Sequence, residues 1–89
     1  MAKRGKLEVM RDMLMIIKDN RNMIKPTPLL RKSGLSSASF REYYADLLEG
    51  KFIKEITEKQ DRFIILTEKG FKFLERYKAI IDFIEEFEL

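Results

Sequence analysis

The sequence predicts a small, mainly α-helical domain that carries one β-hairpin, an α+β fold. Three observations predict it. Four stretches read as helices, one stretch late in the chain turns to β-branched and aromatic residues, and there is no internal repeat or low-complexity segment. The 89 residues are enough for a single core. At 45% hydrophobic and 37% charged, the composition is that of a globular chain, not a disordered one.

The first helix covers residues 5–19. Leu7, Met10, Leu14 and Ile17 form its stripe, widened by Val9, Met13 and Ile16. Asp19-Asn20-Arg21-Asn22 ends it, because these side chains compete for backbone hydrogen bonds. Met23-Ile24-Lys25 reads as a short extended piece before Pro26. Thr27-Pro28 is a start signal, with threonine as the cap and proline at the first helical position, so the second helix spans Pro28 to Ser33. Gly34 suits the left-handed residue that ends it.

Ser36 caps the third helix, whose apolar face is Phe40, Tyr43, Tyr44, Leu47 and Leu48. The opposite face shows Ser37, Ala38, Arg41, Glu42, Ala45 and Glu49. Phe52 to Thr57 and Arg62 to Leu66 are the strands of a hairpin, separated by Glu58-Lys59-Gln60-Asp61, with the turn type left open. Thr67 caps a last helix that runs to Glu88, and Gly70 near its start permits a close backbone approach.

Charge is divided along the chain. Residues 1–41 hold ten basic groups against three acidic ones, or +7, whereas residues 42–89 hold eight against twelve, or −4. This asymmetry suits one face turned to a polyanion and another end kept away from it. Cysteine and histidine are both absent, which removes thiolate nucleophiles, imidazole bases and most transition-metal sites. Gly5, Gly34, Gly50 and Gly70 are isolated, so no phosphate-cradling loop exists. Glu85 and Glu86 are adjacent and point in different directions from a helix. The chain therefore reads as a non-enzyme with no cofactor, metal or small-molecule ligand. The longest apolar run, Met13 to Ile17, is too short to span a bilayer, and Lys3 and Arg4 lead into charged residues where a signal peptide would be apolar.

Two short helices joined by Ser33-Gly34-Leu35-Ser36 form a helix-turn-helix, and the hairpin after them is a wing. The stretch from Pro26 to Ser36 resembles the second helix and turn of winged-helix regulators. Phe40 to Ile53 is similar to their recognition helix, and Leu66-Thr67-Glu68-Lys69-Gly70 looks like the junction that leaves the wing. The resemblance is greatest to small archaeal winged-helix DNA-binding proteins of the 10a type. It implies a cytoplasmic, nucleoid-associated or transcription-regulating protein that pairs through its C-terminal helix. This chain departs from the type in a shorter final helix and in Glu42, where many relatives carry a basic or neutral residue.

The expected DNA-contacting set is Ser36, Ser37, Ser39 and Arg41 on the recognition helix, Arg31 and Lys32 before it, Lys59 and Arg62 on the wing, and Lys3 and Arg4 of a flexible basic arm that also holds Lys6. Small residues at Ser37 and Ala38 allow close approach to the duplex, and Arg41 has the geometry for a bidentate contact with guanine. Four of these cations also have a plainer role. Arg31 and Lys32 complement the dipole at the end of their helix, and Lys59 and Arg62 protect a hairpin edge. The organisation expected is residues 1–66 as the DNA-binding unit and 67–89 as a dimerising helix on the same domain. Its seam is Phe73, Tyr77, Ile80, Ile84 and Phe87, with Leu74 and Ile81 alongside. Burying four such side chains between two copies contributes roughly 6–12 kcal/mol before association costs. The competing functional reading is a winged helix used for protein contact, since the fold does not fix function.

Overall fold

The computed structural model describes residues 4–89, and its elements run helix α1 (Lys6–Asp19), α2 (Pro26–Ser33), α3 (Ser37–Glu49), strand β1 (Ile53–Glu58), β2 (Asp61–Leu66) and α4 (Glu68–Glu86). This is the winged-helix arrangement that the sequence predicts. Met13, Leu14 and Ile17 of α1 lie at its centre, completely buried with Leu29, Leu47 and Ile64 from three other elements.

The hairpin is antiparallel, with Ile53 opposite Leu66 and Glu58 opposite Asp61. Ile24 forms a bridge to Ile64 on the other side of β2, through hydrogen bonds of 3.2 and 2.8 Å in the two directions, so the extended piece before α2 is present. The loop is tighter than expected, because only Lys59 and Gln60 lie outside the strands. Both have positive φ, 51° and 71°, the pattern of a type I′ turn made without Asn or Gly.

Three caps match the sequence reading. Gly34 takes the left-handed conformation at φ 72°, the Ser36 hydroxyl accepts from the Ser39 amide at 3.2 Å, and Thr67 Oγ1 accepts from the Gly70 amide at 3.2 Å. One differs. α2 starts at Pro26, two residues before the expected Pro28, and Thr27 lies inside the helix while Lys25 stands at its N-cap without a side-chain bond. Pro26 costs nothing there, since first-turn amides need no intrahelical partner. α4 ends at Glu86, not at Glu88.

The start of α4 sits directly on the loop before the wing. The Thr67 amide donates to the Phe52 carbonyl at 3.1 Å, its hydroxyl donates to the Lys51 carbonyl at 2.6 Å, and Lys69 Nζ donates to the Gly50 carbonyl at 2.7 Å. A Cβ on Gly70 would lie 2.3 Å from the Phe52 carbonyl oxygen, so glycine is required. Leu74 is buried, and Phe73 packs edge-on against Phe52 with ring centroids 5.5 Å apart. Beyond Tyr77 every residue of α4 is exposed.

Candidate nucleic-acid interface

The turn between α2 and α3 is built around Ser33. Its buried hydroxyl donates to the Leu30 carbonyl at 2.7 Å and accepts from the Leu35 amide at 3.2 Å, so this side chain is satisfied as both donor and acceptor where the two helices meet. α3 is then fixed by Phe40 and Leu47, both buried, and by Tyr44 stacked on Phe40 at 5.6 Å. The aromatic residues of this helix serve the core, as the sequence predicts.

The opposite face of α3 is open. Ser36, Ser37, Ala38, Arg41, Glu42 and Ala45 are exposed, while Ser39 is half-buried. The amides of Ser39 and Phe40 are taken by the Ser36 side chain and carbonyl, whereas those of Ser37 and Ala38 have no hydrogen-bond partner among the described residues. Arg41 stands about one turn beyond these free amides and has no carboxylate within 4 Å among the described residues. The face thus offers a helix N-terminus and an unpaired guanidinium side by side, with small residues between them that keep nothing bulky in the way.

Arg31 and Lys32 occupy the last turn of α2, exposed; Lys32 Nζ has only a long contact to Asn20 Oδ1 at 3.4 Å. Lys59 lies at the hairpin tip, exposed. Arg62 does not stand free there, because its guanidinium lies 3.9 Å from Glu55. Glu58 and Asp61 flank the same turn, and Asp61 pairs with Lys25 at 3.5 Å, so the wing tip is of mixed charge. The free basic arm is not observed in the expected form. Arg4 is held by Asp12 at 2.9 Å and donates to the Ser33 carbonyl at 3.0 Å, and Lys6 is already the first residue of α1. Lys3 lies outside the described residues.

Among the residues expected at a dimer seam, Phe73 belongs to the chain's own packing, as its contact with Phe52 shows, and Tyr77 is half-buried beside it at 6.0 Å. Ile80, Ile81, Ile84 and Phe87 are exposed, Ile80 at 59% and Phe87 at 57%. Phe83, 53% exposed, packs against Phe87 in a tilted pair with ring centroids 4.8 Å apart and extends the patch. The distal helix does not fold back onto the monomer.

Sequence reasoning missed one constellation. Tyr44 on α3 donates its hydroxyl hydrogen bond to Glu55 on β1, and Arg62 on β2 faces the same carboxylate. Burial, then the hydrogen bond to Glu55 and the charge of Glu55, raise the Tyr44 phenol above its ordinary range, against a smaller opposing effect of Arg62. Strand alternation held the signal, since Glu55 shares a face with buried Ile53.

No helix among the described residues is long and apolar enough to cross a membrane, and no cluster of possible metal ligands occurs among them. The fold is similar to Sso10a-2, a DNA-binding protein from Sulfolobus solfataricus, at 21% identity and TM-score 0.74, covering 96% of this chain and 86% of that one. F93 from STIV, a winged-helix DNA-binding protein, is 16% identical at TM-score 0.72, with coverage of 89% and 91%. SSV1 F-93 is 26% identical at TM-score 0.68, with coverage of 90% and 88%. No protein of curated function matches in sequence. The family model described as winged helix-turn-helix matches residues 3–85, nearly the whole chain. With α2 and α3 joined by a left-handed glycine turn and followed by a two-stranded wing, the chain belongs to the winged helix-turn-helix family.

Proposed function

We propose that this chain binds double-stranded DNA, with α3 in the major groove, as a cytoplasmic transcriptional regulator or nucleoid-associated protein. The observation that carries the reading is the exposed N-terminal face of α3, where, among the described residues, Arg41 has no acidic partner and two backbone amides are unpaired. Arg41 is the base-reading residue. Ser36, Ser37 and Ser39 approach phosphate or base edges, while Arg31, Lys32 and Lys59 neutralise the backbone on either side. Sso10a-2 and F93 from STIV, both described as DNA-binding, support the same reading by their fold.

Residues 1–66 form the DNA-binding unit, and residues 67–89 tie it to a second copy. The distal half of α4 pairs through Ile80, Ile81, Ile84 and Phe87, with Tyr77 at its edge. A two-fold dimer presents two copies of α3 to half-sites one helical turn apart, ~34 Å, or a multiple of it. Asp82, Glu85, Glu86 and Glu88 keep that end away from phosphate.

The test is a mobility-shift titration against random and selected duplexes over a range of salt concentrations. Affinity falls linearly in log–log form, with a slope set by the phosphates contacted. Arg41→Gln costs about 1–3 kcal/mol at the preferred site and relaxes its sequence preference, whereas Lys32→Gln weakens all sequences alike. Weak binding with no salt dependence would instead favour a protein-contact module.

A further inference from the structure

Between α3 and the wing lies an acid where a duplex-facing cleft would be expected to carry only cations. Ile53, Glu55 and Thr57 project to one face of β1, and their partners across the hairpin are Leu66, Ile64 and Arg62. The inner members of this face, Ile53, Ile64 and Leu66, are buried against the helices. Glu55 is the next position outward. Its side chain, 34% exposed, accepts from the Tyr44 hydroxyl on α3 and lies 3.9 Å from the Arg62 guanidinium. One carboxylate thus joins the recognition helix to the wing and neutralises one of the two cations that flank the wing tip. Lys59, the other, has no carboxylate within 4 Å among the described residues.

Resting on the DNA-binding reading above, we infer that Glu55 is a positioning residue that sets specificity, holding Arg62 back from phosphate until α3 is seated in a groove. A partly exposed ion pair of this kind is weak, so a phosphate held close by a seated α3 displaces it easily. On an unseated duplex the phosphate is farther away, and Glu55 both retains Arg62 and repels the backbone. The result is lower affinity for random sequence with little loss at the preferred site, which widens the ratio between the two. Tyr44 keeps the carboxylate in place in both states, because its hydroxyl supplies a hydrogen bond from α3 itself.

The experiment uses the full chain, a random-sequence duplex and a duplex selected by the protein, each titrated over a range of salt. Glu55→Gln, which keeps the size of the side chain and can still accept from Tyr44, should bind the random duplex about two- to tenfold more tightly. Its salt dependence should steepen by about 0.9 in log–log slope, the signature of one additional phosphate contact. Adding Arg62→Ala to that variant should reverse both effects, and Arg62→Ala alone should leave the random-duplex slope unchanged. A purely structural role for Glu55 would shift the melting temperature and leave the slope as it was. An unchanged slope in a folded Glu55→Gln variant, or a gain that survives loss of Arg62, overturns the inference. If Glu55→Gln does not fold, Arg62→Ala alone decides: a shallower random-duplex slope would mean that Arg62 already touches phosphate, and the inference fails. Absence of salt-dependent duplex binding by the wild-type chain would defeat the DNA-binding reading itself, a distinguishable result.

Discussion

The Arg4 guanidinium donates to the Ser33 carbonyl at 3.0 Å, while its other terminal nitrogen lies 2.9 Å from Asp12. Arg11 takes the second oxygen of the same carboxylate at 2.9 Å. The segment before α1 is thereby fastened to the end of α2, where a cation also complements the helix dipole. Arg4→Ala should lower stability by about 1 kcal/mol, because the side chain is partly exposed and the pair is screened. Urea denaturation with an unchanged m-value checks this.

Gly70 meets the Phe52 carbonyl so closely that any side chain displaces the backbone. Alanine has the better helix propensity by about 1 kcal/mol, but the clash is with a carbonyl already bonded to the Thr67 amide. Gly70→Ala should therefore be destabilising by a net of about 2 kcal/mol, or roughly 8–16 °C in Tm for a domain of this size. A thermal melt that moves upward would contradict the geometry.

Tyr44 predicts a pH effect at the alkaline end. Its phenol is raised by burial and by the hydrogen bond and charge of Glu55, so the native state holds this proton more tightly than the unfolded chain does. Unfolding then releases protons once the pH exceeds the ordinary tyrosine value of about 10, and stability falls as pH rises from there. Its contribution is fully present below that value. Phenolate absorbance during alkaline titration should show one late-ionising tyrosine, and Tyr44→Phe should remove that phase.

Ile84 lies on the exposed distal part of α4, so a charge there costs the monomer little. If the proposed dimer forms, Ile84→Lys should give monomers by light scattering, weaken duplex binding and remove the concentration dependence of Tm. A wild-type mass equal to one chain would remove the proposed dimer.

Local chemistry made most of the fold legible. Ser36, Thr67 and Gly34 each act within a few residues of their own position, so their roles follow from residue type and spacing. The start of α2 was ambiguous because Pro26 and Pro28 are both acceptable in a first turn. The Lys59-Gln60 turn was hidden for a different reason. Neither residue favours positive φ, and the twist of the paired strands imposes it. In the candidate site, Ser37 and Arg41 were legible from helical periodicity, whereas the pairings of Arg4 and Arg62 were not. Arg4 reaches Ser33 across 29 positions, and Arg62 is captured by a carboxylate on the other strand. Local patterns place a cation on a surface but do not say which acid folding brings beside it.

The bridge between Ile24 and Ile64 is placed about halfway along β2 and ties the hairpin's backbone to the helical body. The half of the hairpin nearer the core is clamped on both sides, while the half bearing Lys59 hangs outward as a lever with that bridge as its fulcrum. Beyond the bridge the Lys25–Asp61 ion pair steadies the lever, while Glu55 with Tyr44 holds the hairpin at the fulcrum itself, opposite Ile64. A small rotation at the fulcrum swings the tip through a wider arc than the half nearer the core, so the tip can shift without disturbing the core.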